Sequence, residues 1–122
     1  MKKIIILILL ININYVYAEN VKNARELYLT AYNNKSTCDS LSNYLNQLEE
    51  KDNTINAYIG ANNLLTSKFS KNIIKKYKYF EEGRKIIEQS IKNDPENIEI
   101  IFLRYLNQKN SPWFLNYNQN LV

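Results

Sequence analysis

The sequence predicts an all-α protein built from antiparallel helical hairpins. Apolar residues recur three and four positions apart over long stretches, which is the spacing of one helix face. Turn-forming residues are scarce, since 122 residues contain two Gly and two Pro. A sandwich or barrel would need a turn signal about every 8 to 12 residues. The pattern therefore predicts about five helices and a truncated sixth, after a cleaved signal peptide.

The chain opens on a segment that has the features of a secretory signal peptide. A basic tip precedes an apolar run over residues 4–11, and a small-residue cleavage pattern ends at Ala18. A retained membrane anchor needs roughly 20 apolar residues, and Asn12 and Asn14 interrupt the run before that length. We therefore expect residues 1–18 to be removed and the protein to be periplasmic or extracellular, with no stable membrane insertion afterwards.

Residues 19–122 have the length of one domain with its own core. The leader carries two lysines and no acidic residue, so its removal lowers the net charge from +4 to +2. That balance gives no support to a nucleic-acid partner, which requires a basic patch on the folded domain. Cys38 is the only cysteine. Its place on an apolar helix face predicts a buried thiol, and pairing with a second molecule is the alternative.

Apolar stripes predict the first two helices of the domain. The first covers residues 21–32 and ends at two asparagines, and the second follows a break at residues 35–37 and continues to about residue 50. The first stripe consists of Ala24, Leu27, Tyr28 and Ala31. The second consists of Cys38, Leu41, Tyr44, Leu45 and Leu48.

The third helix is predicted to begin after Asp52 or Asn53 as its N-cap and to continue to about residue 69. Its stripe is Ile55, Tyr58, Ala61 or Asn62, and Leu65. The fourth covers residues 73–92 and stops before Pro95, because Pro cannot continue the hydrogen-bond ladder. Its stripe is Ile73, Tyr77, Phe80, Ile87 and Ile91.

The fifth helix is predicted over residues 98–108. Its apolar stripe is Ile98, Ile101, Phe102, Tyr105 and Leu106. Ser111 as N-cap and Pro112 at the first helical position predict a sixth helix, which is cut short at Val122.

The fourth helix has the spacing of a tetratricopeptide-like (TPR-like) repeat. Gly83, Ile87, Ser90 and Pro95 match the small, large, small and Pro positions in the second helix of such a repeat. A small residue there lets the paired helix approach closely, despite a mid-helix cost for Gly of roughly 0.5 to 1 kcal/mol. Gly60 precedes Gly83 by 23 positions, where a standard unit has about 12. The prediction is therefore a TPR-like domain with an elongated repeat.

Four segments, ELYLTAYNNK, AYIGANNLL, YFEEGRKIIEQSI and PENIEIIFLRYLNQKNSPWFLNY, resemble in that order a group of short exported Bacteroidetes proteins whose activity is unassigned. The most specific positions are Phe102, Leu103, Arg104, Gln108, Pro112, Phe114, Leu115 and Tyr117. The resemblance implies export and a helical fold. Such proteins tend to have Pro at the position of Ile73, and they extend beyond residue 122.

The chain lacks residues that most catalytic sites require. It contains no His, the commonest general base and metal ligand, so Cys38 also has no His partner. The adjacent acid pairs Glu49-Glu50 and Glu81-Glu82 point about 100° apart on a helix, which does not suit paired carboxylate catalysis. We therefore expect a non-enzyme with no cofactor and no metal.

The basic cluster and the many tyrosines could each indicate a ligand site, or they could be ordinary surface and core residues. The basic residues Lys68, Lys71, Lys75, Lys76, Lys78, Arg84 and Lys85 are interleaved with glutamates, which favours a solvated, salt-bridged face over an anion site. Ten tyrosines raise the possibility of carbohydrate stacking, but two leave with the leader. Five more lie on predicted core stripes: Tyr28, Tyr44, Tyr58, Tyr77 and Tyr105.

Arg104, Gln108 and Trp113 are the candidate partner-binding residues. Arg104 and Gln108 share one helix face beside the start of the next helix. The alternative is that Arg104 pairs with Glu88 and locks two helices together. The leading prediction is a non-catalytic envelope protein that binds a protein or peptide partner in the groove of its hairpins. The alternative is a structural or stress-related envelope protein with no specific ligand.

Overall fold

The computed structural model describes residues 2–118, except for the side chain at position 13. Over these residues the protein is all-α, as predicted, and contains no strand. Five α-helices precede a single 3-10 turn: α1 Lys2–Ala31, α2 Lys35–Gln47, α3 Asn53–Phe69, α4 Ile73–Asn93, α5 Ile98–Asn110 and the turn Trp113–Leu115.

Asparagine and aspartate caps fix where the helices begin. The side chains of Asn34, Asp52, Asn72 and Asn97 each accept a hydrogen bond from the backbone amide three residues later. Such a cap satisfies one of the free amides of a first turn. Asp52, one of the two predicted N-caps for the third helix, is therefore confirmed.

Helices α3 and α4 form an antiparallel hairpin across the turn at residues 70–72. Near that turn the Ser67 hydroxyl donates to the Lys76 carbonyl at 2.6 Å. At mid-length Gly60 and Gly83 face each other, and a Cβ placed on Gly83 would lie 2.6 Å from the Gly60 carbonyl oxygen. The predicted close approach at Gly83 is confirmed, and the TPR-like assignment of the hairpin stays a prediction.

Helix α3 lies at the centre of the domain and contacts all four other helices. It is buried around most of its circumference, as expected of a helix surrounded by others. Its buried apolar residues are Ile55, Ala57, Tyr58, Ala61, Leu64 and Leu65. Helices α1 and α2 add Val21, Ala24, Tyr28, Ala31, Cys38, Leu41 and Leu45 to the core, and α4, α5 and the C-terminal segment add Phe80, Ile87, Ile100, Leu103 and Tyr117. The predicted burial of Cys38 is confirmed.

Residues 2–18, which belong to the predicted leader, and the first predicted helix of the domain form one continuous helix, α1. The described side chains of residues 2–19 are exposed, and Tyr17 donates a hydrogen bond to Asp52. Asn12 and Asn14 turn their amides back to the carbonyls four residues earlier, at 2.8 and 3.0 Å. Among the described helices, α1 is long and apolar enough to cross a membrane, a test that N-terminal signal sequences also meet.

Two predicted core stripes are partly wrong. In α4, Ile73 and Tyr77 are exposed, because the first turns of α4 extend beyond the packed core. In α5 the predicted stripe is mostly exposed, at Ile98, Ile101, Phe102 and Tyr105. Helix α5 is apolar on two faces, and the face that turns inward carries Ile100, Leu103, Asn107 and Gln108. The exposed Tyr77 and Tyr105 also correct the assignment of these two tyrosines to the core.

The predicted sixth helix is also wrong within the described residues. Ser111 does not cap a new helix, because its hydroxyl donates back to the Asn107 carbonyl of α5 at 2.5 Å. Only the 3-10 turn Trp113–Leu115 follows Pro112. Asn116, in the left-handed region with φ 57°, ends that turn. The predicted continuation toward Val122 lies outside the described part of the chain.

Candidate functional site

Arg104 pairs with Glu88, which the sequence analysis gave as the alternative to partner binding. Its Nε lies 2.7 Å from Glu88 Oε1, which joins α5 to α4. The Tyr117 hydroxyl donates to the same carboxylate oxygen at 3.2 Å. Arg104 therefore holds Glu88 in a position that also fixes the C-terminal segment.

The structure brings Arg104 and Gln108 together but not Trp113. Arg104 and the buried Gln108 line one cleft of about 600 Å³ between α4 and α5. Trp113 is largely exposed and does not line that cleft. Three acidic and three basic side chains line the cleft, including the ion pair of Arg84 with Glu81 at 2.9 Å. Their charges balance, so the cleft favours neither an anionic nor a cationic ligand.

A second concavity, which we call the apolar groove, lies where α1 and α3 end and α4 begins. It has a volume of about 500 Å³, and the 3-10 turn closes one side. Its apolar lining residues are Tyr32, Leu64, Leu65, Ile73, Tyr77, Phe80, Pro112, Phe114 and Leu115. Lys68 and Lys76 are the charged residues of its lining, which contains no acidic side chain.

Lys68 is a fixed part of the rim of the apolar groove. Its Nζ donates to the Tyr32 carbonyl at 2.9 Å, just after the end of α1. The same ammonium lies 4.3 Å from the centroid of the Tyr32 ring. A cation near a helix C-terminus satisfies free carbonyls and is attracted by the aromatic face. Lys68 thereby joins the ends of α3 and α1 on one side of the groove.

Tyr117 fixes the opposite side of the apolar groove. Its buried ring packs edge-to-face on Phe80, with the centroids 6.0 Å apart. Burial, and then the charge and hydrogen bonding of Glu88, raise the pKa of the Tyr117 phenol, so it remains a neutral donor at pH 7. This anchor holds the 3-10 turn, with Phe114 and Leu115, against α4.

A polar cluster that the sequence did not reveal ties three helices together at the other end of the domain. Arg25 of α1 binds Glu99 of α5 with two hydrogen bonds, at 2.8 and 3.0 Å. The Tyr58 hydroxyl of α3 donates to Glu99 at 2.5 Å. Arg25 and Glu99 are 74 positions apart, and no local pattern indicates their pairing.

The charges of this cluster follow from its contacts. Burial raises the pKa of Glu99, but the hydrogen bonds from Arg25 and Tyr58 outweigh it and the net shift is downward. Burial and the hydrogen bond to Glu99 raise the pKa of Tyr58. At neutral pH the cluster is thus a carboxylate that accepts hydrogen bonds from a guanidinium and from a neutral phenol. Such an arrangement ties the helices together.

Cys38 lies in a buried polar network that does not resemble a nucleophilic site. Its Sγ is 3.2 Å from Asn62 Oδ1 and 3.6 Å from Thr66 Oγ1. The Asn62 amide donates to the Cys38 carbonyl at 3.3 Å and to Ser42 Oγ at 2.5 Å. Burial raises the pKa of the Cys38 thiol, which disfavours the reactive thiolate.

Fold and site together define an all-α protein with an apolar N-terminal helix and an apolar groove bordered by lysines. Residues 2–118 contain no group of three or more His, Cys, Asp or Glu side chains that could hold a metal ion. No family model, curated protein or solved structure matches the chain. Its function must therefore be argued from the site itself.

Proposed function

We propose that this chain is an exported, non-catalytic protein of the cell envelope that holds a protein or peptide partner in the apolar groove. The apolar groove carries this proposal, because it is a concave, largely apolar surface on a domain whose core is already complete. Its volume of about 500 Å³ is within the range of about 300 to 1,000 Å³ for ligand sites.

The residues around the apolar groove have the chemistry of an interface core. Tyr77 and Phe114 line it and are also exposed to solvent. Aromatic side chains are enriched in the centres of protein interfaces and carry much of their binding energy. An amphipathic helix or an extended segment with apolar side chains would cover them, as in helix-in-groove recognition.

The residues predicted for partner binding take different roles in this proposal. Trp113 adjoins the apolar groove, since its ring packs edge-to-face on Phe114 with the centroids 6.1 Å apart. Arg104 and Gln108 act indirectly, by holding α5 and the C-terminal segment in place. The TPR-like spacing around Gly83 and the features of the leader support a binding module and export, respectively.

Site-specific photo-crosslinking in the producing cell tests this proposal. A photoreactive phenylalanine analogue replaces Tyr77, which lines the apolar groove and is 60% exposed. The control replaces Tyr105 of α5, which is 46% exposed and does not line the groove. Both are helical tyrosines at the surface, so the two positions differ mainly in their distance from the groove.

The proposal predicts a discrete adduct from position 77 that mass spectrometry assigns to one segment of one partner. The additional substitution Phe114→Ala should remove that adduct, and position 105 should give none. Equal adduct patterns from the two positions, or no adduct from either, would contradict the proposal and favour an envelope protein without a specific ligand.

A further inference from the structure

The first two turns of α4 project apolar side chains away from the domain. All side chains of residues 71–78 are exposed. Ile73 and Ile74 are 83% and 81% exposed, and Ile74 does not line the apolar groove. Two adjacent isoleucines at this exposure form a protrusion, and a protrusion does not enclose a partner side chain as a groove does. Exposed apolar side chains of this kind mark a contact with a membrane or with another protein.

Lysines flank this protrusion, and the nearest acidic residues along the helix are Glu81 and Glu82. Lys71, Lys75, Lys76 and Lys78 belong to none of the ion pairs found in residues 2–118. No Asp or Glu occurs from residue 53 to residue 80. The sequence interpretation of one salt-bridged face therefore holds for the second half of α4, where Arg84 pairs with Glu81, and fails for the first half.

The helical arrangement of these residues is that of an interfacial helix. At about 100° per residue, Ile73, Tyr77 and Ile74 share an arc of about 100°. Lys76 lies on one flank of that arc, and Lys78 lies on the other. An apolar arc with cations on both flanks places bulky side chains at the acyl boundary while the ammonium groups contact lipid phosphates.

We propose that the first turns of α4 bind the anionic surface of a phospholipid membrane. Ile73 and Ile74 enter the boundary between headgroups and acyl chains, and the flanking lysines contact the phosphate groups. The contact is peripheral and reversible, because it uses one short apolar protrusion and a few charges. Ile73 and Lys76 also line the apolar groove, but Ile74 and Lys78 do not, so a probe at position 74 reports on the membrane contact separately from the groove.

Membrane attachment through the leader can be distinguished from this contact, because the leader extends from the other end of the domain. Lys68, beside the first turns of α4, bonds to Tyr32 at the C-terminal end of α1. The 30 residues of α1 place its N-terminus about 45 Å from that end, at 1.5 Å per residue. A probe on α4 therefore distinguishes docking of this surface from attachment through the leader.

A polarity-sensitive thiol dye provides that probe, since the one native cysteine, Cys38, is buried. The dye is attached to Ile74→Cys and, as a control, to Asn46→Cys. Asn46 is exposed near the end of α2, two residues after Tyr44, which bonds to Asn20 far from the α4 surface. The full chain is then mixed with phosphatidylcholine vesicles, with and without phosphatidylglycerol.

We expect a blue shift at position 74 with the mixed vesicles, little shift with pure phosphatidylcholine and none at position 46. High salt should reverse the shift, because ions screen exposed charges. The double variant Lys76→Glu, Lys78→Glu should weaken vesicle binding, measured at position 74, at least about tenfold. The control Lys22→Glu, Lys51→Glu changes the net charge equally at exposed sites elsewhere and should leave binding within about twofold.

No shift at position 74, equal shifts at positions 74 and 46, or equal weakening by the two charge-reversed variants would each overturn the membrane assignment. Protection of position 74 by a crosslinked protein partner, without any response to vesicles, would also overturn it and would extend the partner site onto this surface.

Discussion

The carbonyl oxygen of Gly60 occupies the place where a side chain on Gly83 would begin. A Cβ on Gly83 would lie 2.6 Å from that oxygen, and a Cβ on Gly60 would lie 2.9 Å from the Gly83 carbonyl oxygen. Neither glycine has a positive φ, so these positions require space and not conformational freedom. The contact is therefore backbone to backbone, and it sets the separation of α3 and α4.

Gly83→Ala should destabilise the protein although Ala favours helix formation by about 1 kcal/mol. The added methyl group would lie nearest to the backbone carbonyl oxygen of Gly60, which cannot move aside as the end of a flexible side chain can, so α3 and α4 must separate. We expect the free energy of unfolding to fall by about 1 to 3 kcal/mol in urea melts. Asn43→Ala, on the exposed face of α2, should be neutral or slightly stabilising and controls for propensity. A Gly83→Ala protein as stable as the parent would contradict the close contact.

Glu99→Gln tests the cluster that joins α1, α3 and α5. The carboxylate is bound by Arg25 and Tyr58, and we expect the substitution to lower the free energy of unfolding by about 1 kcal/mol or more at pH 7. Glu96→Gln, an exposed position in the turn before α5, should have no measurable effect.

The Glu99 contribution should depend on pH in a defined direction. The pKa of Glu99 is below its ordinary value of 4.5 in the folded protein, so the unfolded chain binds the proton more readily. The stabilisation is therefore complete above about pH 4.5 and is lost as the pH falls through the folded-state pKa. The difference between parent and Glu99→Gln should shrink in acid. A difference that is constant from pH 7 to pH 3 would contradict the proposed charge state.

Cys38 should react with thiol reagents only when the domain opens. It is buried, and burial raises its pKa. We expect its rate of reaction with a chromogenic disulfide to rise with urea in parallel with unfolding. An introduced Ser40→Cys, two positions later and exposed, should react at the rate of a free thiol. Rapid labelling of Cys38 in the folded protein would show that this thiol is accessible to other molecules.

Export predicts a mature protein that begins at Glu19. Tyr17 is the leader residue that bonds to the domain through its side chain, by a hydrogen bond to Asp52. That bond is exposed, so Tyr17→Phe should change the free energy of unfolding by less than about 1 kcal/mol. Mass spectrometry of the protein from the producing cell identifies the N-terminus. Recovery of intact Met1 in the membrane fraction would show that α1 is a retained anchor.

Local pattern was sufficient to predict the five α-helices and part of the core from the sequence. The break at Asp52 and the buried Cys38 follow from capping and from apolar spacing, and the structure confirms both. Spacing indicated the wrong face of α5, because the exposed stripe of Ile98, Ile101, Phe102 and Tyr105 is more apolar than the face that turns inward. Which face turns inward depends on long-range bonds, such as the one from Asn107 to Tyr28 at 3.2 Å.

The candidate site was harder to predict, since a groove is a property of several elements. Arg104 attracted attention as a charged residue beside aromatic ones, yet its partner is Glu88 of the neighbouring helix. The apolar groove depends on where α4 begins and on the 3-10 turn after Pro112. The sequence pattern had predicted an α-helix in place of that turn. Ile73 had been assigned to the core because periodicity alone does not show that the first turns of α4 are exposed.

Partner affinity of two matched phenylalanine variants tests the central claim most directly. Phe114 lines the apolar groove and is 63% exposed, whereas Phe102 lies on the outer face of α5 and is 52% exposed. With the partner segment defined by crosslinking, titration calorimetry measures its Kd for each alanine variant. Our account predicts that Phe114→Ala raises the Kd by about 30-fold, the effect of losing an aromatic hot spot, while Phe102→Ala changes it by less than about twofold with no loss of thermal stability in either. Equal effects of the two substitutions would contradict the claim that the groove is the binding site.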